Sequence, residues 1–147
     1  MVRQSGGTHE NLLLHLDRSS FVAQPAPKDG KVASIRDLAL AKLEAARKTC
    51  RIVAQEYIEG KATVEQVQTW SRRWLDAERE VSKKNAETLA ALEGHVERIK
   101  DLEQAAQNRA GAKGALASDA AAEYFRLAAE QALTQEKLRL SQERPRR

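Results

Sequence analysis

Two stretches decide how this chain folds: Tyr57-Ile58-Glu59-Gly60-Lys61-Ala62-Thr63 and Asn108-Arg109-Ala110-Gly111-Ala112-Lys113-Gly114. Each follows a long helical pattern and each opens another. The residues after them align without a gap. Val64 to Glu78 (VEQVQTWSRRWLDAE) lies over Leu116 to Glu130 (LASDAAAEYFRLAAE), with the shared ending Leu-x-Ala-Glu. Self-similarity of this kind marks a repeated helix-turn-helix unit. Gly60, Gly111 and Gly114 are the turn residues, and Thr63 caps the helix that follows the first turn.

Outward from these turns, three helices are predicted. The first starts at Ser34, whose hydroxyl caps it while Asp37 supplies the opposing carboxylate. It runs to about Glu59, where Gly60 supplies the left-handed residue that ends it. Ala39, Leu43, Ala46, Cys50, Val53 and Tyr57 recur at alternating spacings of four and three, the seam of a coiled coil. Leu38, Ala45 and Ile52 form a second apolar line beside that seam, broad enough to serve a further neighbour.

Thr63 and Gln66 make the next capping box, so the second helix opens at Val64. Nothing in the sequence stops it before Ala110, which gives a central helix about 70 Å long. Its seam has two parts: Val67, Trp70, Trp74, Ala77 and Val81, then Leu89, Leu92, Val96, Ile99 and Leu102. The polar stretch Ser82-Lys83-Lys84-Asn85 separates them, and the eight-residue step from Val81 to Leu89 turns the second part by roughly 80°. A bend is expected at Gly94. The third helix spans about 115–141, with Ala117, Ala121, Phe125, Ala128 and Ala132 as its inner face. The predicted fold is therefore all-α: antiparallel coiled-coil hairpins in which the first and third helices fold back along the two halves of a long central one.

Three regions follow. Residues 1–31 read as a loosely ordered segment, because Ser5-Gly6-Gly7, Gln24-Pro25-Ala26-Pro27 and Asp29-Gly30 break any element between them. Within it, Asn11 to Leu16 forms a short helical turn or an extended piece that docks on the bundle. The hairpin domain is 32–142, and 143–147 is a basic tail.

Composition narrows the class. With 31% charged and 4% aromatic residues in 147, the chain has the make-up of long helices rather than of a sheet. Its 25 basic and 21 acidic residues are interspersed, which is the pattern of solvated helix faces. Cys50 is the single cysteine, so no internal disulfide or multi-cysteine metal site is expected, and its place on the seam makes it a small buried hydrophobe. No stretch approaches the roughly 18 apolar residues of a membrane span. The run Leu12-Leu13-Leu14-His15-Leu16 is too short for a secretory signal core. The sequence as written is expected to stay in the cytoplasm.

The chemistry-bearing motifs are few. Trp70-Ser71-Arg72-Arg73-Trp74 puts two indoles at i and i+4 with arginines between them. Two readings stand: a base-stacking platform flanked by cations, or two core rings whose arginines face water or pair with Asp76 and Glu78. His9, His15 and His95 lack metal-ligand spacing, and neither a phosphate-binding loop nor a nucleophile elbow is present. No catalytic residue, metal ligand or cofactor is assigned, and no enzymatic activity is expected.

A helix ending in Tyr-x-x-Gly, then x-x-Thr, a long apolar-periodic helix and a closing Ala-Glu resembles the α-helical hairpins of TolC-type outer-membrane efflux proteins. Tyr57 to Gly60, Thr63 and Ala77-Glu78 carry the resemblance, and the second copy keeps Gly111 and Ala129-Glu130. WSRRWLDAE and AAEYFRLAAE also look like an uncharacterised group of TolC-like hairpin proteins from planctomycete-type bacteria. The match covers roughly residues 36–136. It implies hairpins that build a trimeric export conduit in the periplasm, joined to an outer-membrane barrel. Here barrel-like strands and a recognisable secretion signal are not found, so a channel built by this chain alone is not expected. The expected function is that of a non-enzymatic helical interaction module, linked to export through the resemblance. Its partner would be another protein or further copies of the chain, with Leu38, Ala45, Ile52, Trp70 and Trp74 as the interaction residues. The alternative is a protein that binds nucleic acid or an anionic surface through Trp70, Arg72, Arg73, Trp74 and the basic tail.

Overall fold

The computed structural model describes residues 33–113 and 116–143. The N-terminal segment 1–31, the turn residue Gly114 and the arginines of the C-terminal tail lie outside the described residues. Four helices follow one another: α1 (Ile35–Ile58), α2 (Val64–Val81), α3 (Asn85–Lys113) and α4 (Leu116–Gln142), with no strand among the described residues. The all-helical expectation holds, and the count of three does not.

The first turn forms as its residues dictate. Ser34 caps α1, taking the Asp37 N–H on its hydroxyl while the Asp37 carboxylate takes the Ser34 N–H, both at 3.1 Å. At the other end Gly60 adopts φ +80°, which a residue with a Cβ rarely tolerates. Gly60 N–H donates to the Tyr57 carbonyl at 3.0 Å and Lys61 N–H to the Glu56 carbonyl at 2.8 Å. These two bonds are a Schellman closure, and they satisfy carbonyls that α1 cannot bond internally. Thr63 and Gln66 then cap α2 reciprocally. With both ends fixed, α1 folds back on α2: Lys42 pairs with Glu80 at 2.6 Å and Arg47 with Glu78 at 3.1 Å, while Tyr57 packs with Val64 and Val67.

The long central helix is broken. Ser82 leaves the helix with ψ 134°, and both its N–H and its hydroxyl donate to the Glu78 carbonyl. Glu87 reaches back to take the Lys83 N–H at 2.8 Å, and Lys84 supplies the carbonyl for the Glu87 and Thr88 N–H groups. Side-chain hydrogen bonds thus end one helix and start the next without glycine or proline. The mismatch between the two halves of the seam is resolved by a break at Ser82 rather than by rotation along one rod. The expected bend at Gly94 is absent, since α3 runs through that residue. Gly94 serves side-chain room instead: a Cβ there would lie 3.3 Å from Arg98 Nη1.

The break lets α3 fold back against α2, and α4 then folds back along α3. Arg126 meets Glu103 at 2.8 Å and Lys137 meets Glu93 at 3.1 Å, which fixes the direction of α4. The main core joins Tyr57, Val64 and Val67 to Val96, Ile99, Leu102 and Ala106 of α3 and to Ala122 and Ala129 of α4. Small residues at 122 and 129 let α4 approach the fully buried Ile99 and Ala106 closely. The inner face of α4 is therefore turned from the expected one: Ala117, Ala128 and Ala132 are exposed, and Ala121, Ala122, Phe125, Ala129 and Leu133 pack inward.

The second turn is also different. Gly111 lies inside α3, which continues to Lys113, so it does not end a helix. Asn108 and Arg109 belong to that helix as well. Arg109 braces the first turn: its Nη1 donates to the Tyr57 carbonyl at 2.7 Å and its guanidinium covers the Tyr57 ring at 4.5 Å.

Candidate functional site

The middle of α2 faces two helices at once, and the polar residues of the molecule's interior gather there. Trp74 turns toward α1, packing on Leu43, Ala46 and Ala77. Ser71, one turn earlier, is 0% exposed and lies against α3. Arg98 Nε donates to Ser71 Oγ at 3.0 Å, and Ser71 Oγ lies 2.9 Å from His95 Nδ1. The guanidinium can only donate, so Ser71 Oγ accepts from Arg98, and it shares a second hydrogen bond with His95 Nδ1 whose direction follows the tautomer of the ring. Burial, reinforced by Arg98 and Arg72, pushes the His95 pKa down to about 4. The Ser71–His95 spacing is that of a nucleophile and its base, and the same serine oxygen is also held by Arg98.

Arg98 itself is held in apolar surroundings. Its guanidinium lies over the Trp74 ring at 3.9 Å from the centroid, and burial lowers its pKa despite the attraction of Glu78. Arg47 and Arg51 approach the same ring, each at 5.8 Å. Arg47 is paired with Glu44 and Glu78, which outweigh its partial burial and raise its pKa. Around this ring the structure leaves three buried donors without acceptors: Arg47 Nε, Trp74 Nε1 and Arg98 Nη2. An unmet buried donor is costly, and among the described residues these three, all in one place, mark the least satisfied region.

The two tryptophans are thereby separated in role. Trp74 belongs to the seam of α1 and α2. Trp70 is half-buried, and Arg73 covers it at 4.5 Å. Arg72 and Arg73 are exposed, and neither pairs with Asp76 or Glu78; the partner of Glu78 is Arg47. Cys50 is buried and burial raises its thiol pKa, in keeping with its place on the seam.

The second apolar line of α1 stands free of α2. Leu38 is 60% and Ile52 48% exposed, and Ala45 between them is exposed too, whereas Leu43, Ala46, Cys50 and Tyr57 are buried. On α4, Tyr124, Leu127 and Leu138 are likewise exposed. Of the turn residues, Gly60 and Thr63 act as read. Ser71, His95, Arg98 and Arg109 were not singled out as a group by the sequence. The available signal was polar residues at seam spacing: Ser71 stands four residues after Val67, and His95 directly precedes Val96.

Among the described residues no helix is long and apolar enough to cross a membrane, and no group of three or more His, Cys, Asp or Glu is placed to hold a metal ion. Comparison with protein-family models, curated proteins and solved structures returned no match to this chain.

Proposed function

We propose that this chain is a non-enzymatic helical interaction module that associates through the outer face of α1. The observation that carries the reading is the line Leu38, Ala45 and Ile52, spaced by seven residues and left exposed while the opposite side of α1 is buried on α2. Exposed apolar stripes of this kind mark association surfaces. The partner is a helical surface of a further copy or of another protein, packed in coiled-coil fashion like the predicted antiparallel seams. Kinship with TolC-type hairpins, and with it a link to export, rests on the resemblance of the sequence alone. Sedimentation equilibrium over a wide concentration range tests association. A dimer or trimer that Ile52→Glu converts to monomer is the expected result; a monomer throughout, unchanged by Ile52→Glu, would sink the reading.

A second reading has one observation in its favour: Trp70, Arg72 and Arg73 form a partly exposed cation–aromatic surface. It is the weaker, because Trp74 packs into the seam between α1 and α2 and does not stand beside Trp70 as a second exposed ring. Oligonucleotide titration at two salt concentrations separates them, since phosphate binding weakens steeply with salt.

A further inference from the structure

Between α1 and α3, with α2 as its floor, lies a chamber of about 270 Å³. Its walls are almost wholly apolar, built from Ala54 and Tyr57 of α1, Val67 and Trp74 of α2, and Leu102 of α3. That volume lies just below the usual range of small-molecule sites and suits a compact ligand of one or two rings. The polar groups at its edge are unbalanced in sign. Arg51 and Arg98 line it against the single carboxylate of Asp101. Arg51 has no ion-pair partner among the described residues. Arg98 spends Nε on Ser71 and leaves Nη2 without an acceptor. Both guanidiniums converge on the Trp74 ring, at 5.8 and 3.9 Å from its centroid.

We propose that this chamber binds a small aromatic carboxylate, its ring packed between Trp74, Tyr57 and Leu102 and its carboxylate held by Arg51 and Arg98. Two observations meet here: an apolar space of ligand size, and cationic donors that the protein's own carboxylates leave unmatched. A guanidinium is the group best shaped to receive a carboxylate, through two parallel N–H bonds. Arg98 Nη2 is closed off from solvent in the free protein. The ligand therefore draws the guanidinium out by a small side-chain rotation, and the carboxylate supplies the acceptor that was lacking. The rotation keeps the guanidinium stacked on the ring while its outer nitrogen gains a partner.

The test is titration of the full chain with naphthalene-2-carboxylate, followed by calorimetry and by the indole N–H resonances of the two tryptophans. The expected result is saturable binding that shifts the Trp74 resonance and leaves Trp70 in place. Naphthalene-2-carboxamide, of the same shape without the charge, binds at least about tenfold more weakly. Arg51→Gln, at an exposed position that leaves the fold unaltered, weakens the carboxylate by about tenfold. Ala54→Leu fills the chamber and abolishes binding, with its circular dichroism melt confirming the fold. Equal affinity for acid and amide, or unchanged binding in Ala54→Leu with its fold intact, overturns the proposal. So does the lack of a saturable Trp74 shift at millimolar ligand.

Discussion

The guanidinium carbon of Arg98 lies 3.9 Å from the centroid of the Trp74 ring while Arg98 Nε donates to Ser71 Oγ at 3.0 Å. One side chain thus joins the α1–α2 seam to the polar interior between α2 and α3. The two members of this pair should respond very differently to truncation. Trp74→Ala removes the half-buried ring that Leu43, Ala46 and three guanidiniums rest on, and should cost about 3 kcal/mol. Arg98→Met removes a buried charge that has no ion-pair partner and one unmet donor. Its stability should stay within about 1 kcal/mol of the parent, because apolar replacement of poorly compensated buried charge is often neutral. Urea unfolding of both variants measures the contrast, and a loss of several kcal/mol in Arg98→Met would contradict it.

His95 makes stability depend on pH in a defined window. Its folded pKa of about 4 lies below the ordinary 6.5, so the unfolded chain binds the proton more readily. The stabilisation is complete above pH 6.5 and is lost as pH falls from 6.5 toward 4, by at most about 3 kcal/mol. Asp37, Glu59 and Glu87, whose pKa values are lowered by hydrogen bonds, act at lower pH than this. Unfolding free energies at pH 7 and pH 5 should therefore differ in the parent, and His95→Gln should flatten that difference. A His95 imidazole resonance, assigned by its loss in His95→Gln, that titrates near pH 6.5 in the folded protein would show the enclosure of His95 to be wrong.

The two glycine turns looked equivalent in the sequence, and substitution by alanine should separate them. Gly60 holds φ +80°, so Gly60→Ala should destabilise by about 1–2 kcal/mol. Gly111 lies within α3 with nothing within 4 Å of where a Cβ would stand. Gly111→Ala should stabilise by up to about 1 kcal/mol, since glycine is the poorer helix former. Opposite signs in two thermal melts are the expected outcome.

Those glycines also mark what the sequence disclosed. The first turn was legible because three local signals agreed: a glycine at the C-cap, a Thr63–Gln66 box, and apolar seams on both sides. At Gly111 only the glycine was present, and the helix passed through it. The break at Ser82 carried no glycine or proline, and serine and glutamate side chains closed the helix ends instead. Its trace was the eight-residue gap between Val81 and Leu89, which indicated two different partners for the two halves. The polar cluster was hidden for another reason. Ser71 and His95 lie 24 positions apart, and only the folding of α3 back on α2 brings them within hydrogen-bond distance.

The repeat supplies the last prediction. Its two copies open α2 and α4, and the alanines of the shared Leu-x-Ala-Glu ending, Ala77 and Ala129, are both buried at close helix approaches. The glutamates both pair with arginines but differently, Glu78 with Arg47 across to α1 and Glu130 with Arg126 one turn earlier in α4 itself. The leucines do not: Leu75 is 6% exposed against Ala91 and Leu92, whereas Leu127 is 51% exposed. This difference follows from neighbours, since α2 is packed on by α1, α3 and α4, and α4 rests mainly on α3. Ala77→Leu and Ala129→Leu should each cost about 1–3 kcal/mol through overpacking. Leu75→Ala should cost about 2–4 kcal/mol, and Leu127→Ala less than about 0.5 kcal/mol. Denaturant unfolding of the four variants checks this. Equal losses at Leu75 and Leu127 would mean that α4 is covered on its outer side as α2 is, and would place an association surface on α4.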